Sequence, residues 1–204
     1  DRYGILLILD EVITGFGRTG KLFAAEHWGV EADIVTLAKG VTSGYLPLGA
    51  CAVNSEVFDA FLGDPAAGRE FAQVSTYGGH PVCCAAALAN IEILMRERLW
   101  ENAERVGLHL REQLSAIDSS FIGEVRGLGL MIAVELVDEN GAMLDSERAA
   151  KVQAGIRQAG VIVGRMSHVM DGPESVFFVS PPLIITPDQA DQIAAAFAVG
   201  LNAI

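Results

Sequence analysis

Two uniformly apolar runs near the start of the chain each end at a charged side chain. The first run covers residues 5–9 and ends at Asp10, and the second covers residues 34–38 and ends at Lys39. Runs of this kind are typical of parallel strands that helices cover on both faces. Ligands of such sheets bind at the carboxyl ends of the strands. We therefore expect Asp10 and Lys39 to lie buried in one crevice, where they face each other.

Helical and strand patterns alternate along the rest of the chain, which predicts an α/β protein. Apolar and small residues recur at helical spacing from Pro81 to about Ile117, with a bend near Glu97. The later predicted elements are a strand at 129–136, a helix at 146–159, strands at 161–164 and 176–179, and a helix that starts at Pro187 with Thr186 as its N-cap. We place a domain boundary at the bend, which gives domains 1–96 and 97–204.

The composition indicates a globular protein and excludes several classes of partner. Hydrophobic residues make up 51% of the chain, and the formal net charge is −12. This charge argues against a nucleic-acid partner, because such binding depends largely on Lys and Arg side chains that neutralise phosphates. The apolar runs are shorter than the roughly 20 residues that span a bilayer, so we predict no membrane partner. Three cysteines without a disulfide pattern favour a reducing, cytoplasmic location.

A lysine and an aspartate that face each other across a small-molecule site fit the chemistry of pyridoxal phosphate. The lysine amine bonds to the cofactor aldehyde, and the aspartate keeps the ring nitrogen protonated so that the ring accepts electrons. The residues alone also allow a surface role for Lys39 and a capping or salt-bridge role for Asp10. Metal chemistry has less support, because His27, His80, His109 and His168 lack metal-ligand spacing. We therefore predict no metal site.

Six stretches of the chain carry a family resemblance. They are LDEVITGFGRTG at 9–20, DIVTLAKG at 33–40, SGYLPLGA at 43–50, STYGGHP at 75–81, VRGLGL at 125–130 and SPPLII at 180–185. In this order they resemble the class III (subgroup III) aminotransferases, which use pyridoxal phosphate. The resemblance implies the C-terminal part of the fold-type I structure. Residues 1–96 then belong to the parallel-rich sheet of the large cofactor-binding domain, and residues 97–204 form the small α/β C-terminal domain.

The resemblance also implies roles for individual residues around the cofactor. Lys39 holds the cofactor and later moves a proton between carbon atoms. Asp10 pairs with the ring nitrogen, and Val12 packs on one face of the ring, although Val12 taken alone is a core valine. Thr76 hydrogen-bonds the cofactor phosphate of the partner subunit, which implies a homodimer. Its alternative is an N-cap role for the helix that starts near Pro81.

Two residues are implied to contact the substrate. Arg165 pairs with the substrate carboxylate through its bidentate fork, and Tyr45 lines the loop that follows Lys39. A solvated arginine and a packing tyrosine are the alternatives. The chain departs from the family at Gln73-Val74, where members often carry His-Gly, and in an insertion at 167–175 that blurs the alignment around Arg165.

The implied function is transfer of an amino group from an amine or omega-amino acid to a keto acid such as pyruvate. GABA, acetylornithine and diaminopelargonate aminotransferases and glutamate-semialdehyde aminomutase are alternatives within the family. A non-catalytic module of the same fold is a further alternative. In the family, the phosphate-binding Gly-Ser loop and the aromatic residue that stacks on the ring come before the position of Asp1. We therefore expect this chain to be the C-terminal portion of a larger protein, to need the missing N-terminal half, and to bind the cofactor poorly by itself.

Overall fold

The computed structural model describes residues 2–166 and 174–204, and these form two compact units, Asp1–Arg98 and Leu99–Ile204. The helix predicted from Pro81 to Ile117 is two helices, Pro81–Glu97 and Leu99–Ser115. Arg98 separates them with a φ of 48°, a left-handed conformation that cannot continue a helix. The assignment of the two units to the large and small domains of the family stays a prediction.

The first unit contains a three-stranded mixed sheet. Its strands are β1 (Ile8–Asp10), β2 (Ile34–Leu37) and β3 (Ala50–Val53), in the order β1-β2-β3. The β1–β2 pair is parallel and the β2–β3 pair is antiparallel. Helices α1 (Ser55–Asp59) and α2 (Pro81–Glu97) follow, and short 3₁₀ turns lie at Ala24–His27, Lys39–Thr42 and Pro65–Ala67. Asn54 caps α1 by accepting a hydrogen bond from the Val57 amide at 2.9 Å.

The first apolar run is exposed, so the expectation that it is covered on both faces is wrong for this chain. Ile5 is 73% exposed and Ile8 is 59% exposed. Strand β1 lies at an edge of its sheet, with β2 as its only neighbour among the described strands. The buried hydrophobic residues of this unit are few: Phe16, Ala24, Val41, Cys83, Ala87 and Leu94.

The second unit has a closed hydrophobic core between helices and an antiparallel sheet. Helix α3 is Leu99–Ser115, and the strands are β4 (Ile122–Leu128), β5 (Met131–Leu136), β6 (Gly164–Arg165) and β7 (Val176–Val179), in the order β4-β5-β7-β6. Helices α4 (Ser146–Gln158) and α5 (Pro187–Leu201) complete the unit. Alternate residues of β5 are buried, as expected for a strand with one face on the core. Phe177 and Phe197 are fully buried and pack edge to face.

Several predicted elements agree with the second unit, and two differ. Thr186 is the N-cap of α5 and Pro187 is its first residue, as predicted. The strand predicted at 161–164 is reduced to Gly164–Arg165, and strand β4 was not predicted. Among the described residues, no helix combines the length and the apolar character that crossing a membrane requires.

Candidate functional site

The parallel pairing of β1 and β2 brings Asp10 and Lys39 to the same end of the sheet, the one at the carboxyl ends of both strands. Asp10 is level with Thr36 in the register, and the Glu11 amide donates to the Thr36 carbonyl at 3.0 Å. Lys39 follows two residues after the end of β2. Both side chains lie at the carboxyl ends of their strands, where ligands of such sheets bind. They are exposed rather than buried, because the described part of this unit places little over that end.

The backbone of Lys39 has an unusual conformation. Lys39 opens the 3₁₀ turn Lys39–Thr42 with a φ of 40°, and such left-handed values are energetically costly for a residue with a side chain. The turn is closed by amides that donate back to it, from Ser43 to the Gly40 carbonyl at 3.2 Å and from Gly44 to the Lys39 carbonyl at 3.1 Å. The buried Thr42 hydroxyl donates to the Leu46 carbonyl at 2.6 Å. The direction of the Lys39 side chain therefore depends on how firmly this turn is held.

The glycine-punctuated loop after Asp10 packs against the Lys39 turn. The Val12 amide donates to Oδ1 of Asp10 at 2.9 Å, which fixes the carboxylate at the start of the loop. Phe16 is buried, and a Cβ added to Gly40 would lie 2.9 Å from the Phe16 Cβ, so Gly40 is the residue that permits this approach. Burial in the same loop lowers the pKa of the Arg18 guanidinium. Asp10, half-buried Val12 and Lys39 are thus parts of one packed assembly.

Two polar residues that support this assembly carry no role in the sequence analysis. Glu11 is 3% exposed, and its Oε1 accepts a hydrogen bond from the Ala25 amide at 2.8 Å while its Oε2 accepts one from the Thr14 hydroxyl. Asn90, on α2, donates to the carbonyls of Gly40 and Val41. A carboxylate placed directly after an apolar strand could have indicated the burial of Glu11. The contact of Asn90 spans 49 residues of sequence to Val41, and no local signal indicates it.

Three further predicted residues lie outside this assembly. Tyr45 is 85% exposed on the turn that follows Lys39. Thr76 is exposed in a turn and is not the N-cap of α2, because that position is taken by His80, whose Nδ1 accepts from the Val82 amide at 3.3 Å. Arg165 belongs to the second unit. The structure therefore brings Asp10, Val12 and Lys39 into one part of the first unit, and the roles of all six residues stay predictions.

Arg165 is held by an internal carboxylate. Its Nη2 lies 3.1 Å from Oε2 of Glu174, and its Nη1 donates to the Ser146 carbonyl at 3.1 Å. The Arg165 side chain is 17% exposed in this arrangement. Most of the insertion at 167–175, with His168, lies outside the described residues. Binding of a substrate carboxylate by Arg165 would require this guanidinium to exchange one carboxylate partner for another.

An apolar groove of about 470 Å³ lies on the opposite face of the same sheet. Leu9, Val35 and Leu37 contribute to its lining. Side chains alternate between the two faces along a strand, so Leu9 and Asp10 point to opposite faces. The groove is therefore not the crevice of Asp10 and Lys39. Within residues 2–166 and 174–204, no group of three or more potential ligand side chains could hold a metal ion.

Pyridoxal phosphate needs a primary amine at its aldehyde and a carboxylate that accepts a hydrogen bond from its ring nitrogen, so Lys39 and Asp10 fit this cofactor at these two positions. A cradle of backbone amides for the phosphate is not part of the assembly described above. Of the residues considered, Thr76 alone is a candidate for that group. The described residues therefore fit the aldehyde and the ring nitrogen of the cofactor, and the phosphate is the part without an established binding group.

Comparison with known proteins finds one family model and several relatives, all of them aminotransferases. The family model described as aminotransferase class-III matches residues 1–201. Taurine–pyruvate aminotransferase of Bilophila wadsworthia is 42% identical over 200 residues, which are 96% of this chain and 44% of that protein. A Bacillus anthracis aminotransferase structure superposes with a TM-score of 0.95 at 38% identity, covering 100% of this chain and 46% of that one.

An amine transaminase structure from an uncultivated Pseudomonas species, described as the pyridoxal-phosphate-bound form, gives a TM-score of 0.89 at 41% identity. The match covers 99% of this chain and 45% of that one. The chain thus spans less than half the length of each of these relatives.

Proposed function

The chain belongs to the class III aminotransferases, and from this we propose that it is the lysine-bearing portion of a pyridoxal-phosphate-dependent transaminase. The family and the fold class predicted from the sequence are confirmed. Class III aminotransferases depend on pyridoxal phosphate, as predicted. One observation carries the proposal for this chain. Asp10 is the last residue of β1 and Lys39 follows the end of β2, so the carboxylate and the amine lie at the carboxyl ends of two paired parallel strands.

Lys39 and Asp10 have complementary tasks in the proposed reaction. Pyridoxal phosphate, when bound, supplies an aldehyde that binds amines and a ring that accepts electrons. The Lys39 amine would hold the cofactor at its aldehyde carbon and, when free, would carry a proton to or from the substrate α-carbon. The Asp10 carboxylate would accept a hydrogen bond from the ring N–H and stabilise the positive charge of the ring. Val12, whose amide donates to Asp10, would pack against the ring face.

The proposed substrates are an amine or omega-amino acid as donor and a keto acid such as pyruvate as acceptor. This choice is supported by relatives named as a taurine–pyruvate aminotransferase and an amine transaminase. Arg165 is proposed to bind the carboxylate of the acceptor. GABA, acetylornithine, diaminopelargonate and aminomutase activities remain the alternatives within the family, and a module without catalysis is the alternative outside it.

We also propose that the chain works only with further protein. The portion of its relatives that the chain does not match carries the phosphate loop and the stacking aromatic residue implied by the resemblance. A second copy is proposed to contribute Thr76 across a dimer interface. The chain alone is then expected to bind cofactor weakly and to show no turnover, and a fusion to the unmatched part of the Bilophila enzyme is expected to gain both.

Borohydride trapping tests the role of Lys39. The chain has three lysines, Lys21, Lys39 and Lys151, so peptide mass mapping after reduction reports the site of attachment directly. Lys151 is a matched surface control, 54% exposed and paired with Glu147 at 2.9 Å. Of these three lysines, we expect the fusion to carry the reduced pyridoxyl group on Lys39. Equal labelling of Lys39 and Lys151 would contradict the proposal.

Variants of the fusion separate binding from chemistry. Lys39→Ala is expected to abolish turnover, while Asp10→Asn is expected to lower kcat by roughly 10²–10³-fold, because a neutral amide no longer stabilises the charged ring. Steady-state kinetics with several amine donors and with pyruvate measure both effects. Full activity of Asp10→Asn would remove Asp10 from the proposed site. Turnover by the unfused chain would refute the need for further protein.

A further inference from the structure

Helix α2 buries a stripe of residues that is apolar except at one position. Cys83, Ala87 and Leu94 are buried members of this stripe, and half-buried Asn90 lies at the same helical face between them. A polar amide in such a stripe costs free energy unless its donors are satisfied. The partners of Asn90 therefore explain what it does in this position.

The Asn90 amide binds the turn that begins with Lys39. Its Nδ2 donates to the Gly40 carbonyl at 2.9 Å and to the Val41 carbonyl at 3.1 Å. These are the two carbonyls that directly follow Lys39. Because both partners are acceptors, only the NH₂ group can occupy this position, which fixes the orientation of the amide. The helix thus holds two successive peptide groups of the turn through one side chain.

We propose that Asn90 is a positioning residue for Lys39, an inference that rests on the proposed role of Lys39 as the cofactor-binding amine. A residue with a side chain keeps a left-handed backbone only where the surrounding structure enforces it, and the φ of Lys39 is 40°. The carbonyls bound by Asn90 are the nearest ones on the C-terminal side. If they are released, the turn relaxes and re-aims the amine. A small displacement of a reacting group is enough to lower its reactivity strongly.

Two substitutions separate the hydrogen bonds of Asn90 from its volume. Asn90→Asp keeps the shape but replaces both donors with an acceptor that faces two carbonyls. Asn90→Ala removes the side chain and leaves room for water to reach them. If the hydrogen bonds matter, Asn90→Asp is the more damaging change. If only packing matters, Asn90→Ala is the more damaging one.

Asn102 offers a matched control in the other unit. Its Nδ2 donates to the carbonyls of Leu183 at 2.7 Å and Ile185 at 3.0 Å, the same arrangement of one amide on two carbonyls. Asn102→Asp also replaces an amide that donates to two carbonyls, and it leaves the Lys39 turn untouched; it differs in that the Oδ1 of Asn102 accepts a hydrogen bond from Arg105 at 2.7 Å. A general effect of a half-buried aspartate on the chain will appear in both variants.

The first measurement is amide hydrogen exchange of the 204-residue chain at Ser43, Gly44 and Tyr45. These amides donate to the carbonyls of Gly40, Lys39 and Thr42, so their protection reports whether the turn is closed. We expect exchange roughly 30-fold faster in Asn90→Asp, because both hydrogen bonds of the side chain are lost, a smaller change in Asn90→Ala, and no change in Asn102→Asp. Unchanged protection in Asn90→Asp would overturn the inference.

The second measurement is the ratio of borohydride-trapped pyridoxyl groups on Lys39 and Lys151 in the fusion that carries the same substitutions. We expect this ratio to fall roughly tenfold in Asn90→Asp and to stay unchanged in Asn102→Asp. A ratio near one in the unsubstituted fusion would contradict the proposed function itself, and hydrogen exchange would then decide the role of Asn90 in the turn. A high ratio that Asn90→Asp leaves intact would refute the positioning role and leave the proposed function standing.

Discussion

Substitution of Glu11 tests whether polar contacts hold the site together. Glu11 is 3% exposed and accepts a hydrogen bond from the Ala25 amide at 2.8 Å, within the 3₁₀ turn Ala24–His27. It also accepts one from the Thr14 hydroxyl, within the loop that packs on the Lys39 turn. Glu11→Ala removes both acceptors at once. The turn and the loop then lose the side chain that joins them to the end of β1.

The size of the effect follows from the two lost bonds. A hydrogen bond to a charged group contributes about 1.5–3 kcal/mol, and a buried donor left without a partner costs about 1–3 kcal/mol. Ala25 and Thr14 are half-buried, so water can reach part of the vacated space, and the lower end of each range applies. We expect a local loss of about 2–3 kcal/mol. Glu11→Gln keeps one acceptor oxygen and is expected to lose about half as much.

Hydrogen exchange at the Trp28 amide measures this loss. The Trp28 amide donates to the Ala25 carbonyl at 3.1 Å, so it reports opening of the turn without contacting the substituted side chain. A loss of 2 kcal/mol corresponds to exchange roughly 30-fold faster. The Val57 amide, bound to the Asn54 side chain at 2.9 Å, serves as a control in the same unit.

Two results would contradict this reasoning. A change below about threefold at Trp28 would mean that the carboxylate contributes little. An equal change at Val57 would mean that the whole unit opens, rather than the turn alone.

Three further predictions concern the second unit. Hydrogen bonds from the Arg148 amide and side chain lower the pKa of Asp145 below its ordinary value of 3.8. This carboxylate therefore stabilises the fold above that pH, and its contribution is lost as the pH falls through the lowered pKa. In urea unfolding, the stability of Asp145→Asn is expected to fall less at acidic pH than that of the unsubstituted chain. Gly107→Ala would place a Cβ 2.0 Å from the Gly129 carbonyl oxygen in the β4–β5 turn. We expect urea unfolding to show a loss of about 3 kcal/mol in the free energy of unfolding, although alanine has a helix propensity roughly 1 kcal/mol better than that of glycine. Gly164→Ala, whose Cβ would lie 3.5 Å from its nearest neighbour, is the control and is expected to be neutral in the same assay. In the fusion, Arg165→Lys is expected to raise KM for pyruvate roughly tenfold with little change in kcat, because lysine lacks the bidentate fork of arginine. An unchanged KM would exclude Arg165 from acceptor binding.

The features that sequence predicted well depend on local or neighbouring signals. Apolar runs that end at Asp10 and Lys39 predicted adjacent strands, and the structure pairs β1 with β2 in parallel. The Thr186 cap is equally local, since a threonine before a proline at the first helical position needs no distant partner. Recognition of the family drew on six such local stretches.

The features that sequence did not predict depend on partners elsewhere. Strand β4 carries Glu124 and Arg126, whose exposed side chains pair at 2.6 Å, and a register shift between Ile122 and Glu124 breaks the alternation of apolar and polar residues that marks a strand. The burial expected of Asp10 and Lys39 was wrong for this chain, because burial is a property of what covers a strand and not of the strand itself.

The two units therefore differ in the kind of contact that stabilises them. The second unit closes its core with fully buried side chains such as Leu110 and Phe197, so apolar packing specifies its shape. The first unit buries few apolar side chains, of which Phe16 and Val41 lie near Lys39, and three polar side chains, Glu11, Thr42 and Asn90, also bind the backbone around the site. Polar contacts are directional, so they can fix the angle of a single turn where apolar packing cannot. Substitution of these three residues should thus disturb the Lys39 turn strongly while leaving the unfolding of the second unit unchanged.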